Sequence, residues 1–202
     1  MVMRIWSSIK NDFDIMAIVL IPVAIAINLS IGQIITVLKI PIFLDSIGTV
    51  LAAVLAGPWV AAVAGVLTVF AAGVTVNPIL PWYSGTAIAI GLFSGFVAKK
   101  GFFRRWILVV LGGILMGFIA AVVSAPVTAY LFGGVTAAGS TLIVAYLEAT
   151  GRTLFRSVFF AGLASDPLDK MLTYIIVAFI FRNLPRRFLL RFPRAAGSIK
   201  PR

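Results

Sequence analysis

Apolar positions in this chain do not alternate with polar ones; they gather into long runs separated by short polar junctions. Six runs read as membrane-crossing helices: about 15 to 37, 44 to 57, 59 to 76, 84 to 98, 107 to 133 and 167 to 182. A span needs about 20 mostly apolar residues, and unalternating runs suit helices rather than the dyad pattern of a membrane barrel. The second run is short and is expected to tilt or to begin within a crevice. Arg4 and Lys10 precede the first run, but that run is longer than a secretory core and has no evident cleavage site behind it, so it is expected to remain as a helix.

Composition agrees with the pattern. The chain is 61% hydrophobic and 11% charged, with a mean hydropathy of +1.12, outside the range of a soluble globular domain. The expected fold is an all-α integral membrane protein: one domain over residues 1–202, built as a bundle of six transmembrane helices.

Charge orients the bundle. With the N-terminus cytoplasmic, six spans return the C-terminus to the same side. The inner side then carries Arg4, Lys10, the 99–105 loop (Lys99, Lys100, Arg104, Arg105) and the basic 183–202 tail with its flanking Arg182. That places 13 of the 17 basic residues inside. Outside remain Lys39, Arg152, Arg156 and Lys170, opposed by Asp45, Glu148, Asp166 and Asp169. The net charge of +11 is therefore mainly a topology signal, with attraction to anionic inner-leaflet lipid as a second effect. Its basic tail lies against a span, so the lipid bilayer and not nucleic acid is the expected partner.

Chemistry is limited by what is missing. The sequence has no His and no Cys, which excludes thiol or imidazole nucleophiles and metal ligands of those types. No G-x-x-x-x-G-K-[ST] loop is present. A non-enzyme without cofactor or metal is expected, and any uphill work must draw energy from a partner.

Small residues recur every fourth position in the fifth run (Gly113, Gly117, Ala121, Ala125, Ala129, Gly133) and in the fourth (Ala87, Gly91, Gly95). Such rows let backbones approach closely in lipid. They serve either packing within the bundle or sliding against a partner membrane subunit. Pro22 lies inside the first run, followed by Asn28 and Gln33. Asn28 either bonds a neighbouring helix or contacts a ligand.

Asp45 is a carboxylate in an apolar stretch, "LKIPIFLDSIGTVLAAVLAGPW". A charged Asp at the bilayer centre costs about 2.5 to 3.5 kcal/mol on insertion scales, so it needs an interface, a partner or a wet cavity. One reading makes it an N-terminal cap of the second helix. The other makes it part of an outer pocket, together with "TVNPILPWYSG" between spans three and four, Tyr130, and "ASDPLDK" before span six. Flat aromatics mixed with a few polar groups suit a small, partly planar organic molecule. Residues 134–166 are too polar for a span and are expected to form an extracellular lid or an interfacial helix, with Glu148 and Arg152 paired at i, i+4 and with Leu142, Tyr146, Phe155 and Phe159 against the bundle.

Several stretches together resemble the substrate-binding membrane subunits (S-components) of energy-coupling factor (ECF) type ABC transporters. These are "VAIAINLSIGQIITVLKIPIFLDSIGTVLAAVLAGPWVAAVAGVLT", the Pro-aromatic outer loop, "GLFSGFVAKKGFF" and "DPLDKMLTYIIVAFIFRNLPRRFLLRF". The likeness runs over most of the chain and is closest to a branch whose substrates are largely unassigned. It implies six helices, an outward-open site for a vitamin-like or nucleobase-like molecule, and partnership with a transmembrane coupling subunit and two ATPase subunits. Ligand contacts are then expected at Asn28, Gln33, Asp45, Ser46, Thr49, Asn77, Trp82, Tyr83 and Asp166. Many S-components dock their coupling subunit through an A-x-x-x-A pattern on the first helix. Here the nearest matches are Ala26 with Ser30, Ala24 with Asn28 and Gly32, and, on the second helix, Ala52 with Ala56. Two other classes remain open: a self-sufficient secondary transporter or facilitator, against which no acid lies clearly at mid-span, and a membrane receptor or scaffold that moves nothing.

Overall fold

The computed structural model describes residues 12–38, 40, 42–135, 140–192 and 195. Among them every regular element is helical. In chain order the helices are α1 (Ile15–Leu38), α2 (Ile47–Ala56), α3 (Pro58–Thr75), α4 (Ser84–Lys99), α5 (Trp106–Tyr130), α6 (Ser140–Ala149), α7 (Leu154–Asn183) and the short α8 (Arg186–Leu189). Single 3-10 turns, Leu80–Tyr83 and Phe102–Arg104, precede α4 and α5.

Four segments, Ile15–Leu38, Pro58–Thr75, Leu80–Lys99 and Trp106–Tyr130, are long and apolar enough to cross a membrane. Their outward faces carry exposed Ile18, Val63, Phe96 and Phe118, an apolar exterior that fits a membrane-embedded protein.

Helix α2 is different. Its 10 residues are all buried, enclosed by α1, α3, α4 and α7. At about 1.5 Å per residue it reaches roughly 15 Å, half a typical hydrocarbon core. It is a core element rather than a lipid-facing one, which explains why its run reads as short and apolar on every side. The reversal into α3 depends on "GPW": Gly57 adopts φ +103, and Pro58 takes the first helical position, where its missing N–H costs nothing.

Apart from Gly133, which is exposed beyond the end of α5, the small-residue rows pack within the bundle. A Cβ on Gly48 would strike the α1 backbone at Ala24; on Gly91 and Gly95 it would strike α3 at Ala62 and Pro58; on Gly113 and Gly117 it would strike α7 at Met171 and Pro167. The pair α5 and α7 forms the most extensive helix contact.

Helix α7 corrects the expected last span. It begins at Leu154, not near 167, and runs unbroken for 30 residues through Pro167. Pro167 and the polar cluster around it read as a helix boundary in sequence. In three dimensions the Pro167 backbone seats against Gly117, and Asp166, Asp169 and Lys170 turn inward. The stretch 134–166 therefore divides: Ser140–Ala149 forms α6, and 154–166 is the first half of α7. Leu142 and Tyr146 point away from the bundle, and α6 packs through Ser140 and Val144 instead. Glu148 and Arg152 share no helix, because α6 ends before Gly151 at φ +84; the Arg152 guanidinium lies over the Phe160 ring.

The two ends of the bundle differ in character. Lys99, Lys100, Arg104, Arg105, Arg182 and Arg186 gather at one end, where Arg182 donates to the Phe103 carbonyl and covers the Trp106 ring, and Asp12 pairs with Lys99. Asp45, Tyr83, Thr128, Asp166 and Lys170 gather at the other. Arg4, Lys10, Lys39, Arg194, Lys200 and Arg202 lie outside the described residues.

Candidate functional site

A cavity of about 470 Å³ opens between α1 through α7 at the end away from the basic cluster. Its volume falls within the range that holds small organic ligands. Leu29, Val69, Ile90, Ala121 and Val158 supply apolar wall, Phe43, Tyr83 and Phe132 aromatic surface, and hydroxyls from all of the helices α1 through α7 line the remainder.

Asn28 ties three helices together. Its Nδ2 donates to Thr49 Oγ1 on α2 at 2.9 Å and to Thr68 Oγ1 on α3 at 3.0 Å, while its Oδ1 accepts the Gly48 amide at 2.7 Å. Both amide hydrogens are used within the protein, so the bond to neighbouring helices is the role the geometry displays. Asn28→Ala is expected to strand the buried Gly48 amide and lower stability by about 1–3 kcal/mol. Chemical unfolding in detergent checks this, and an unchanged midpoint would remove the knot from the account.

A second knot joins α7 to the connection between α1 and α2. Asp169, fully buried, accepts the Phe43 and Leu44 amides at 3.0 and 2.7 Å through Oδ1, and Lys170 Nζ reaches its Oδ2 at 2.6 Å. Lys170 also donates to Ser46 Oγ at 2.9 Å and to Asp45 Oδ1 at 3.3 Å. Leu44 sits at φ +47, a left-handed conformation costing a non-glycine residue roughly 1–2 kcal/mol, and the Asp169 bonds hold it there. Asp45 does not cap α2: that position belongs to Ser46, which makes no side-chain cap, and the Asp45 carboxylate turns toward Lys170 with its side chain 55% exposed.

The cavity's third polar region is the outer loop. Tyr83 shares a 2.8 Å hydrogen bond with Thr128, and its ring lies 5.3 Å from that of Phe132. Asn77 Oδ1 accepts the Ile79 amide at 3.0 Å, a bond that shapes the turn. Thr86 Oγ1 is buried and has no hydrogen-bond partner among the described residues.

Of the residues expected to meet ligand, Asn28, Gln33, Asp45, Ser46, Thr49, Asn77, Tyr83 and Asp166 line this one cavity. Trp82 does not: it is 65% exposed, on the outer side of its 3-10 turn. The docking candidates divide as well. Ala24 lies under Gly48, and Ala52 and Ala56 are buried inside α2, so none offers a surface; Ala26 and Ser30 are exposed on α1. Sequence reasoning missed Lys170 and Asp169 as site residues, although Asp166, Asp169 and Lys170 at i, i+3, i+4 share one helix face. It also missed Thr68, Thr86 and Thr128, whose isolated hydroxyls carry no signal in an apolar run. No group of three acidic side chains suited to a metal ion occurs among the described residues.

No family model, curated protein or solved structure matches the chain.

Proposed function

We propose that this protein captures a small vitamin-like or nucleobase-like molecule on the outer face of a cell membrane and hands it to partner subunits for ATP-driven import, as an ECF-type S-component. The carrying observation is the cavity at the bundle end opposite the basic cluster, since the positive-inside rule puts that end outside. In this arrangement the four apolar helices and α7 make five passes, the buried half-length α2 together with the segment leading into it completes the sixth, and both termini are cytoplasmic in a prokaryotic cell. A transmembrane coupling subunit and two ATPases supply the energy, consistent with the missing P-loop and with a non-enzyme that binds no cofactor. Ala26 and Ser30 are the docking candidates that remain on the surface. Helix α6 contributes Ser140 and Val144 to the cavity wall.

One observation favours a self-sufficient secondary transporter. Asp166, Asp169 and Lys170 lie buried near the middle of α7, where transporters keep ion or proton relays. Two measurements separate the readings: co-purification with a coupling subunit and ATPases on co-expression supports the S-component, whereas uptake by the chain alone in liposomes would overturn it.

Capture itself is tested by mass spectrometry of what the purified protein releases on denaturation. Asp45→Asn is expected to weaken retention of that molecule about tenfold, the order of one charge-assisted hydrogen bond, with folded yield unchanged because Asp45 is half exposed and caps nothing. Equal retention would leave Asp45 only its contact with Lys170.

A further inference from the structure

Charge inside the cavity is uneven. Among the described residues, Lys170 is the only cation lining it, against Asp45 and Asp166 on the wall and Asp169 directly behind. The Lys170 ammonium is already committed, at 2.6 Å to Asp169, 2.9 Å to Ser46 and 3.3 Å to Asp45. Arg152 and Arg156 point into exposed surface elsewhere, and Lys39 lies outside the described residues.

Asp166 is the group left over. It is 7% exposed and faces the cavity, and Lys170, Asp169 and Asp45 all act on it electrostatically. Its carboxylate accepts one long hydrogen bond, from Ser165 Oγ at 3.3 Å, and its second oxygen accepts none among the described residues. Buried carboxylates are normally satisfied by a cation or by several donors. Here the protein has spent its one nearby cation on Asp169 and built an empty space in front of Asp166. The adjoining wall offers the faces of Phe43, Tyr83 and Phe132, surfaces that favour a cation's apolar body.

We infer that the cavity's ligand is a small organic cation, with a protonated nitrogen held by Asp166, Asp45 as a second carboxylate nearby, and an apolar or aromatic body against Phe43, Tyr83 and Phe132. This rests on the capture of a small molecule proposed above and adds its charge class. Asp166 then receives the donors it lacks, and the acidic excess is neutralised by the cargo rather than by the protein.

The test uses the full chain in detergent and three probes of similar size: 2-phenylethylammonium, 2-phenylethanol and 3-phenylpropanoate. Calorimetric titration and the thermal midpoint are read for wild type, Asp166→Asn and, as a control on exposed α6, Glu148→Gln. The cationic probe is expected to bind and raise the midpoint while the other two do neither. Asp166→Asn should weaken the cation at least tenfold while its ligand-free midpoint stays equal to or above that of wild type, because an unpaired buried charge has been removed. Glu148→Gln should behave as wild type. Binding of the alcohol or the carboxylate as tightly as the ammonium would overturn the inference, as would no response to any probe, or an Asp166→Asn protein that binds the cation undiminished. In each of these cases a molecule released from denatured wild-type protein leaves capture standing, and its lack of a basic nitrogen would fix the error on the charge class alone.

Discussion

Lys170→Met is expected to destabilise the protein by about 3–5 kcal/mol, the usual cost of removing one partner from a buried ion pair. Asp169 has no access to solvent, and its countercharge is the Lys170 ammonium at 2.6 Å. Methionine fills similar volume but leaves the carboxylate with only the two amides of Phe43 and Leu44. Ser46 and Asp45 lose their common donor in the same step. Adding Asp169→Asn should restore much of the loss, since the amide oxygen can still accept both backbone bonds without a charge to satisfy. A double-mutant cycle read by chemical unfolding in detergent would show this as a large coupling. If the single variant unfolds at the wild-type midpoint, the second knot is not what holds the α1–α2 connection.

Gly117→Leu should be nearly as damaging, at about 3 kcal/mol, and for a different reason. The new side chain would meet the Pro167 backbone and the Asp166 carbonyl rather than the end of a movable side chain. Backbone can yield only if α7 separates from α5, along the most extensive helix contact in the bundle. Gly85→Ala is the control, because its nearest neighbour, Val123 Cγ1, lies at an ordinary 3.8 Å. Loss of monodisperse protein for Gly117→Leu alone would support the packing role. Full stability would return the row to the other reading, a face turned toward a partner.

Much of the architecture was legible in the sequence because lipid imposes a strong rule: backbone groups must bond within the segment, so long apolar runs become helices. The runs at 15, 59, 84 and 107 matched helices to within a few residues. Failure came where the surroundings of a residue, not its type, decide the outcome. Asp166, Asp169 and Lys170 look like a water-exposed junction when read linearly, yet they sit inside α7 because each side chain finds a buried partner or a cavity. Pro167 looks like a start and is an interior position, because Gly117 leaves room for its backbone. Asp45 looks like a cap and instead meets a lysine 125 residues away, which no local pattern can foretell. Glycine spacing was informative about close approach but silent on the partner. Only the fold shows that the α5 row faces α7.

The bonds from Phe43 and Leu44 to Asp169 also order events during biosynthesis. The acceptor is made 126 residues after the Phe43 donor, and at about 5–20 residues per second that is a delay of roughly 6–25 s. Throughout that interval the nascent connection ahead of α2 has no Asp169 or Lys170 to fasten it, and Leu44 has no acceptor holding its backbone left-handed. The wall that carries Asp45 is thus finished only when the last long helix leaves the ribosome, so a truncated chain can hold every earlier helix and still lack a finished cavity.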